Sequence, residues 1–210
     1  MELRVANVIA LCASLTLISA CSSLSESQCL ASDWQTVGYT DGAAGQDSSR
    51  LLKHQNACVK HGVTPDRELY MAGWDEGVLR YCTPDNAFQQ GRRGATYHNV
   101  CPPHLASNFL DAYEDGRQLH LAQAEINRLQ SLINAKNNTL DTLEKKLRTA
   151  EARLVADDVT STERMTLLED TKSLAREQGK LETEITDLRV EVAVKQDRLD
   201  SLQQTLAIAN

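Results

Sequence analysis

From Leu119 onward, apolar residues recur every three and four positions. Leu119, Ile126, Ile133, Leu140, Leu147 and Leu154 occupy one heptad position, a, and Ala122, Leu129, Lys136, Leu143 and Ala150 the other, d. This is the seam of a coiled coil, whose a and d side chains face a partner helix. A second register follows, with Leu167, Leu174, Leu181, Leu188, Lys195, Leu202 and Ala209 at d and Ile185, Val192, Leu199 and Leu206 at a. Its first a positions, Arg164, Thr171 and Gln178, are polar, so the seam is one-sided there. Lys136 and Lys195 interrupt the apolar line. Snorkelling over a solvated seam is the simpler account of them, and register selection is the other.

The two registers are three residues out of phase, with the break in the stretch 156–161, where Thr160 and Glu163 have the spacing of a capping box. Two geometries follow. Helices over 103–155 and 161–209 would fold back as an antiparallel hairpin about 75 Å long, or one helix of about 160 Å would absorb the break and need a second chain to cover its seam. The matched lengths favour the hairpin, although neither Gly nor Pro marks its turn.

Ahead of the heptads the helix starts are legible. Thr64-Pro65-Asp66 and Thr83-Pro84-Asp85 each offer a capping hydroxyl, a proline for the first helical position and an acid in the first turn. Cys101-Pro102-Pro103 marks another start, Ser48 or Ser49 before Leu51 a fourth, and Ser32 or Asp33 before Trp34 a fifth. These predict helices at about 33–46, 49–61, 65–82, 84–96 and from 103 onward. The fold class expected is all-α: a small helical domain over 33–118, then the coiled-coil region over 119–210.

A weak repeat runs through the small domain. Trp34 precedes Gly38-Tyr39-Thr40-Asp41-Gly42; Tyr70 precedes Gly73-Trp74-Asp75-Glu76-Gly77; Phe88 precedes Gly91-Arg92-Arg93-Gly94; Phe109 precedes Ala112-Tyr113-Glu114-Asp115-Gly116. A glycine within a helix costs about 1 kcal/mol relative to alanine, so each needs an offsetting reason. Gly38, Gly42 and Gly45 would share a helix face onto which a neighbouring backbone can close. The leading expectation is a compact cluster with glycine grooves filled by aromatic side chains, its acids being solvated edges. The competing one is an aromatic and acidic surface for a glycan or peptide, built from Trp34, Tyr39, Tyr70, Trp74 and Tyr113 with Asp41, Asp75, Glu76 and Asp115.

Residues 5–20 are almost wholly apolar or small, too short a run for a membrane span of about 20 residues. They end in Leu17-Ile18-Ser19-Ala20-Cys21, which is similar to the lipobox of bacterial lipoproteins, with a Ser-rich stretch following. That resemblance implies a signal peptide over 1–20, diacylglycerol on the Cys21 thiol and a lipidated tether over 21–32. The competing reading is an ordinary secretory signal. Ser22 after the cysteine, by resemblance to enterobacterial sorting, favours the outer membrane of a Gram-negative cell, facing the periplasm.

Cys12 would leave with the signal and Cys21 would be taken by lipid, so Cys29, Cys58, Cys82 and Cys101 remain, an even number in an oxidising compartment. Two disulfides are expected, in one of three connectivities. An antiparallel pair of first helices favours Cys29 with Cys58 and hence Cys82 with Cys101. A zinc site competes weakly because the spacings contain no C-x-x-C pair. No metal or cofactor is expected: His54, His61, His98, His104 and His120 form no liganding pattern, and there is no nucleophile elbow, phosphate loop, zinc-protease motif or dinucleotide fingerprint.

Composition sharpens the division. All nine Phe, Trp and Tyr residues lie between Trp34 and Tyr113, and beyond Gly116 there is one glycine, Gly179, and no proline. A net charge of −7 argues against a nucleic-acid partner. The repeated Gly-aromatic-x-acid-Gly elements, Tyr81-Cys82 and the lipobox resemble a family of uncharacterised bacterial lipoproteins, classified only as a domain of unknown function, over about residues 21–118. The resemblance brings no catalytic residue. The expected role is non-enzymatic: a protein held at the membrane by its N-terminal lipid, whose coiled coil binds a protein partner or itself. Recognition of peptidoglycan or another glycan by the small domain is the alternative.

Overall fold

The computed structural model describes residues 24–209; the expected signal peptide over 1–20 and Cys21 lie outside the described residues. Seven α-helices follow in order: α1 (Glu26–Ala31), α2 (Trp34–Ala43), α3 (Arg50–Cys58), α4 (Arg67–Tyr81), α5 (Pro84–Arg92), α6 (Pro103–Leu154) and α7 (Ser161–Ala209), with a 3-10 turn over Val59–His61. The described residues contain no strand. They divide into two compact units, one ending at Gly77 and the other beginning at Val78.

In the first unit the caps explain where helices begin and stop. The stretch read as tether contains α1, which Ser25 starts through a full capping box with Gln28. Asp33 caps α2, its carboxylate accepting from the Gln35 amide. α2 stops at Ala43, short of the expected residue 46, because Gly45 takes a positive φ of 69° in the following turn. Gly45 therefore does not extend the face of Gly38 and Gly42. At the start of α4 the cap is Asp66 rather than Thr64, the Asp66 carboxylate accepting from Leu69 N at 3.0 Å. An aspartate directly beside the first turn outcompetes a hydroxyl two residues further away.

Glycine decides how α2 and α4 meet. A methyl group on Gly38 would run into the Tyr70 carbonyl and stand 3.0 Å from Trp74 N; one on Gly73 would strike the Gln35 carbonyl, and one on Gly77 the Tyr39 carbonyl. Each glycine lies over one backbone hydrogen bond of the opposite helix. The side chains around this crossing form a core of Cys29, Trp34, Cys58 and Tyr70, with Val37, Leu51, Met71 and Trp74 packed against it. The Cys29–Cys58 disulfide, with Cα atoms 5.4 Å apart, joins α1 to the end of α3.

The second unit uses the same device between α5 and α6. A Cβ on Gly91 would meet the Tyr113 carbonyl, and one on Gly116 the Phe88 carbonyl. Thr83 caps α5 and Pro84 takes its first position, as the sequence predicts, but the helix ends at Arg92 because Gly94 is left-handed at φ 73°. Gly94 is thus a turn residue beneath the His120 ring and not a helix-packing position. Tyr81, Tyr97 and Tyr113 surround the buried Phe109, with ring centroids 5.2, 4.7 and 6.3 Å from it. The Cys82–Cys101 disulfide closes the loop between α4 and α6.

Beyond this cluster α6 and α7 share cores. Leu119 and Ile126 pack with Leu199 and Leu206, and Ile133 packs with Leu181 and Ile185. Lys136 is not a snorkelling side chain: its Nζ lies 2.7 Å from the Glu184 carboxylate on α7. In the connection, Thr160 caps α7 by accepting from Glu163 N, but the Glu163 carboxylate accepts from Arg153 and does not close the expected capping box. Arg153 also pairs with Asp158 at 2.7 Å, and Arg164 donates to the Leu154, Ala156 and Val159 carbonyls, so charged side chains order a turn that lacks Gly and Pro.

The glycines give a prediction of opposite signs. Gly73→Ala and Gly91→Ala are each expected to destabilise by about 1–3 kcal/mol or more, because backbone must move to admit the methyl group. Gly179 lies on α7 with nothing within 4 Å of a Cβ, and Gly179→Ala is expected to stabilise by about 1 kcal/mol. Thermal unfolding of the three variants measures both; a stabilised Gly73→Ala would rule out the close crossing.

Candidate functional site

The first unit buries a charged cluster that the sequence pattern does not announce. Asp41, on α2, is 8% exposed and His54, on α3, is 3% exposed, while Tyr70, on α4, is fully buried. One carboxylate oxygen of Asp41 lies 3.0 Å from Arg50 Nε. The other lies 2.7 Å from His54 Nε2 and accepts from the Tyr70 hydroxyl at 2.9 Å. The carboxylate thus joins three helices. A carboxylate only accepts, so His54 Nε2 carries the proton in this pair, and the other ring nitrogen, Nδ1, is buried with no hydrogen-bond partner among the described residues.

This placement corrects the reading of Asp41 as a solvated edge. Helical spacing put Asp41 beside Gly42, but it also turned the side chain inward, toward a histidine 13 positions and a tyrosine 29 positions later. His54, one of the histidines that form no liganding pattern in the sequence, is buried as a partner of that carboxylate. The sequence signal was a helical Asp adjoining Gly42, and it does not name its partners.

The aromatic residues of the competing surface are mostly inside. Trp34, Tyr70 and Tyr113 are 7%, 0% and 7% exposed. The Trp74 indole N–H donates to the Gln46 carbonyl at 2.8 Å, and the Tyr113 hydroxyl donates to the Ala95 carbonyl at 2.7 Å. Tyr39 is exposed, as are Asp75 and Glu76, and Asp115 is half-buried. Gly38, Gly42, Gly73, Gly77, Gly91 and Gly116 are buried in helices, and Gly94 is exposed in its turn. No continuous aromatic platform results from these positions.

A cavity of about 290 Å³ opens beside the cluster, lined by Gln28, Thr36, Thr40, Asp41, Arg50 and His54. The second unit has one of about 500 Å³ between Phe88, Leu119 and Leu206, with Asp85 and Arg92 at its edge. Chemically, the Asp41 carboxylate is paired on both sides: one oxygen lies against His54 and the Tyr70 hydroxyl, and the other forms an ion pair with Arg50, whose Nε makes no hydrogen bond among the described residues. Among the described residues, no group of three His, Cys, Asp or Glu side chains is placed to hold a metal ion. None of the described helices is long and apolar enough to cross a membrane.

Asp41→Asn is expected to cost about 3–5 kcal/mol, since it leaves the Arg50 charge without its counterion. Tyr70→Phe removes one bond to a charged acceptor and is expected to cost about 1.5–3 kcal/mol. Burial, and then the bond to Asp41, push the Tyr70 hydroxyl well above the ordinary tyrosine range. The folded state therefore holds this proton where the unfolded chain releases it, so stability is complete below about pH 10 and falls as pH rises past it. Denaturant unfolding between about pH 9 and about pH 11 should show a smaller alkaline loss for Tyr70→Phe than for the parent chain. An equal loss in both would show that another group is responsible.

No curated protein and no solved structure matches this chain. Residues 33–118, which hold the Asp41 cluster and both glycine crossings, match DUF2799, a family described as a protein of unknown function, and form a domain of that family.

Proposed function

We propose that this protein is a lipid-anchored, non-enzymatic component of the cell envelope. In this reading Cys21 carries the lipid, the domain over 33–118 sits at the membrane, and α6 and α7 form an antiparallel intrachain hairpin that engages a protein partner. The observation that carries the hairpin is the order of its contacts. Residues early in α6 share a core with residues late in α7, Leu119 and Ile126 with Leu199 and Leu206, while Lys136 meets Glu184 nearer the turn. Antiparallel packing produces that order, and it consumes the apolar seam within one chain.

With the seam occupied, a partner meets the outer faces. There Leu121, Leu132, Val190 and Val194 are exposed to between 36% and 62%. Leu121 and Leu132 are eleven residues apart on α6, and Val190 and Val194 four apart on α7, spacings that keep each pair on one helix face. The glycan-binding alternative gains no support from the aromatic residues, most of which are packed inside. An outer-membrane location in the periplasm follows from the resemblance at Leu17–Cys21 and Ser22 and belongs to the same proposal.

The hairpin reading makes unfolding independent of concentration, because no second chain is released. For the chain from Ser22 onward, light scattering is expected to give the monomer mass. Its thermal midpoint is expected to stay constant over about a hundredfold range of concentration. A dimer or trimer whose midpoint rises with concentration would mean that the heptads pair between chains.

A further inference from the structure

The first unit is acidic except along one stretch. Between Asp47 and Asp66 the chain has no Asp or Glu, yet it carries Arg50, Lys53, His54, Lys60 and His61. Arg50 and His54 turn inward to Asp41. Lys53, Lys60 and His61 remain exposed on α3 and the turn that follows it. At about 100° per residue Leu52, Asn56 and Val59 share one face, with the two lysines together along one edge of it. Leu52 and Val59 are 60% and 61% exposed, and Leu30 on the adjoining α1 is 66% exposed. Glu26 on α1 lies 3.8 Å from His61.

Single exposed apolar residues are ordinary on a protein surface. Here their covalent position gives them weight. α1 begins at Glu26, five residues after Cys21, and an extended chain spans at most about 3.6 Å per residue, so the start of α1 stays within about 20 Å of Cys21. The Cys29–Cys58 disulfide then fastens α1 to the end of α3, beside Val59. Whatever holds Cys21 therefore also holds this face of α3 close to it.

Resting on the reading of Cys21 as the lipid-bearing residue, the geometry points to a membrane-docking face. Leu52, Asn56 and Val59, with Lys53 and Lys60, lie on the same bilayer surface that holds the anchor. The lysines meet anionic phosphate headgroups and the apolar side chains enter the interface. A lipid chain combined with a basic patch is a two-signal attachment. Its consequence is orientation: the first unit is seated on the membrane by one side and does not swing on a tether.

The test uses the full-length lipidated protein in vesicles of phosphatidylethanolamine and phosphatidylglycerol. The photoreactive residue benzoylphenylalanine replaces Leu52, Val59 or, as a control on α4, Glu76. Mass spectrometry of the N-terminal peptide reads the lipid on Cys21 in the same samples. The expected result is a lipidated Cys21 and at least tenfold more phospholipid cross-linking from positions 52 and 59 than from 76. The yield at 59 should fall at least threefold in neutral phosphatidylcholine vesicles and in the double variant Lys53→Glu, Lys60→Glu. A lipidated Cys21 with cross-linking equal at all three positions, or absent from all three, overturns the docking face and leaves the anchor standing. A Cys21 without lipid overturns the anchor, and the docking face with it.

Discussion

Two helix backbones come into direct contact only where no side chain stands between them, and both units of this protein depend on that constraint. Gly38, Gly73 and Gly77 bring α2 onto α4, and Gly91 and Gly116 bring α5 onto α6. At such a distance the Cα hydrogens of one helix lie over the carbonyls of the other, a weak contact that recurs at close helix crossings. The larger effect is on everything around the crossing. With the backbones this near, aromatic side chains pack beside the crossing rather than through it, which is why Trp34, Tyr70, Phe109 and Tyr113 are buried. The glycines lose helix propensity and gain close packing in exchange.

The Asp41 carboxylate follows from the first of these crossings. Once α2 and α4 are this close, a short acidic side chain one residue before Gly42 faces the interior, where it needs donors. His54 and Tyr70 supply them, and Arg50 supplies the opposite charge. A buried charge paired in this way is weak evidence of added stability, whereas removing the partner charge leaves the other uncompensated in a dry site, which ties the placement of α2 to that of α3. The disulfide Cys29–Cys58 adds a covalent tie to the same three-helix arrangement through α1 and α3. A domain of this size with few aromatic residues gains much from such staples, about 2–4 kcal/mol for each disulfide.

In the long helices the forces are different. The a and d positions of α6 and α7 are buried or half-buried from Leu119 to Leu206, apart from the exposed Arg164, and the remaining positions are mostly polar and solvated. Interhelical charge pairing, as in Lys136 with Glu184, replaces apolar contact where the seam is polar. The proposed envelope role joins these parts: a domain made rigid by glycine crossings and disulfides at the membrane, and an elongated helical element with its seam already filled, offering outer faces to a partner.

Much of this was legible in the chain because it is local. Heptads report a helix face directly, proline and a capping residue report a helix start, and an even set of four cysteines reports two bridges. Those signals predicted the all-helical class, the break between α6 and α7 and four helix starts close to where they occur. Local signals failed where two neighbouring residues competed for one role, as with Thr64 and Asp66, or where a glycine changed hand, as at Gly45 and Gly94. What only the tertiary structure decided are the partners of polar side chains. Asp41 with His54, Lys136 with Glu184 and Arg153 with Glu163 are each separated by ten or more positions. Periodicity tells which way a side chain points from its own helix; what it meets there depends on how the helices cross.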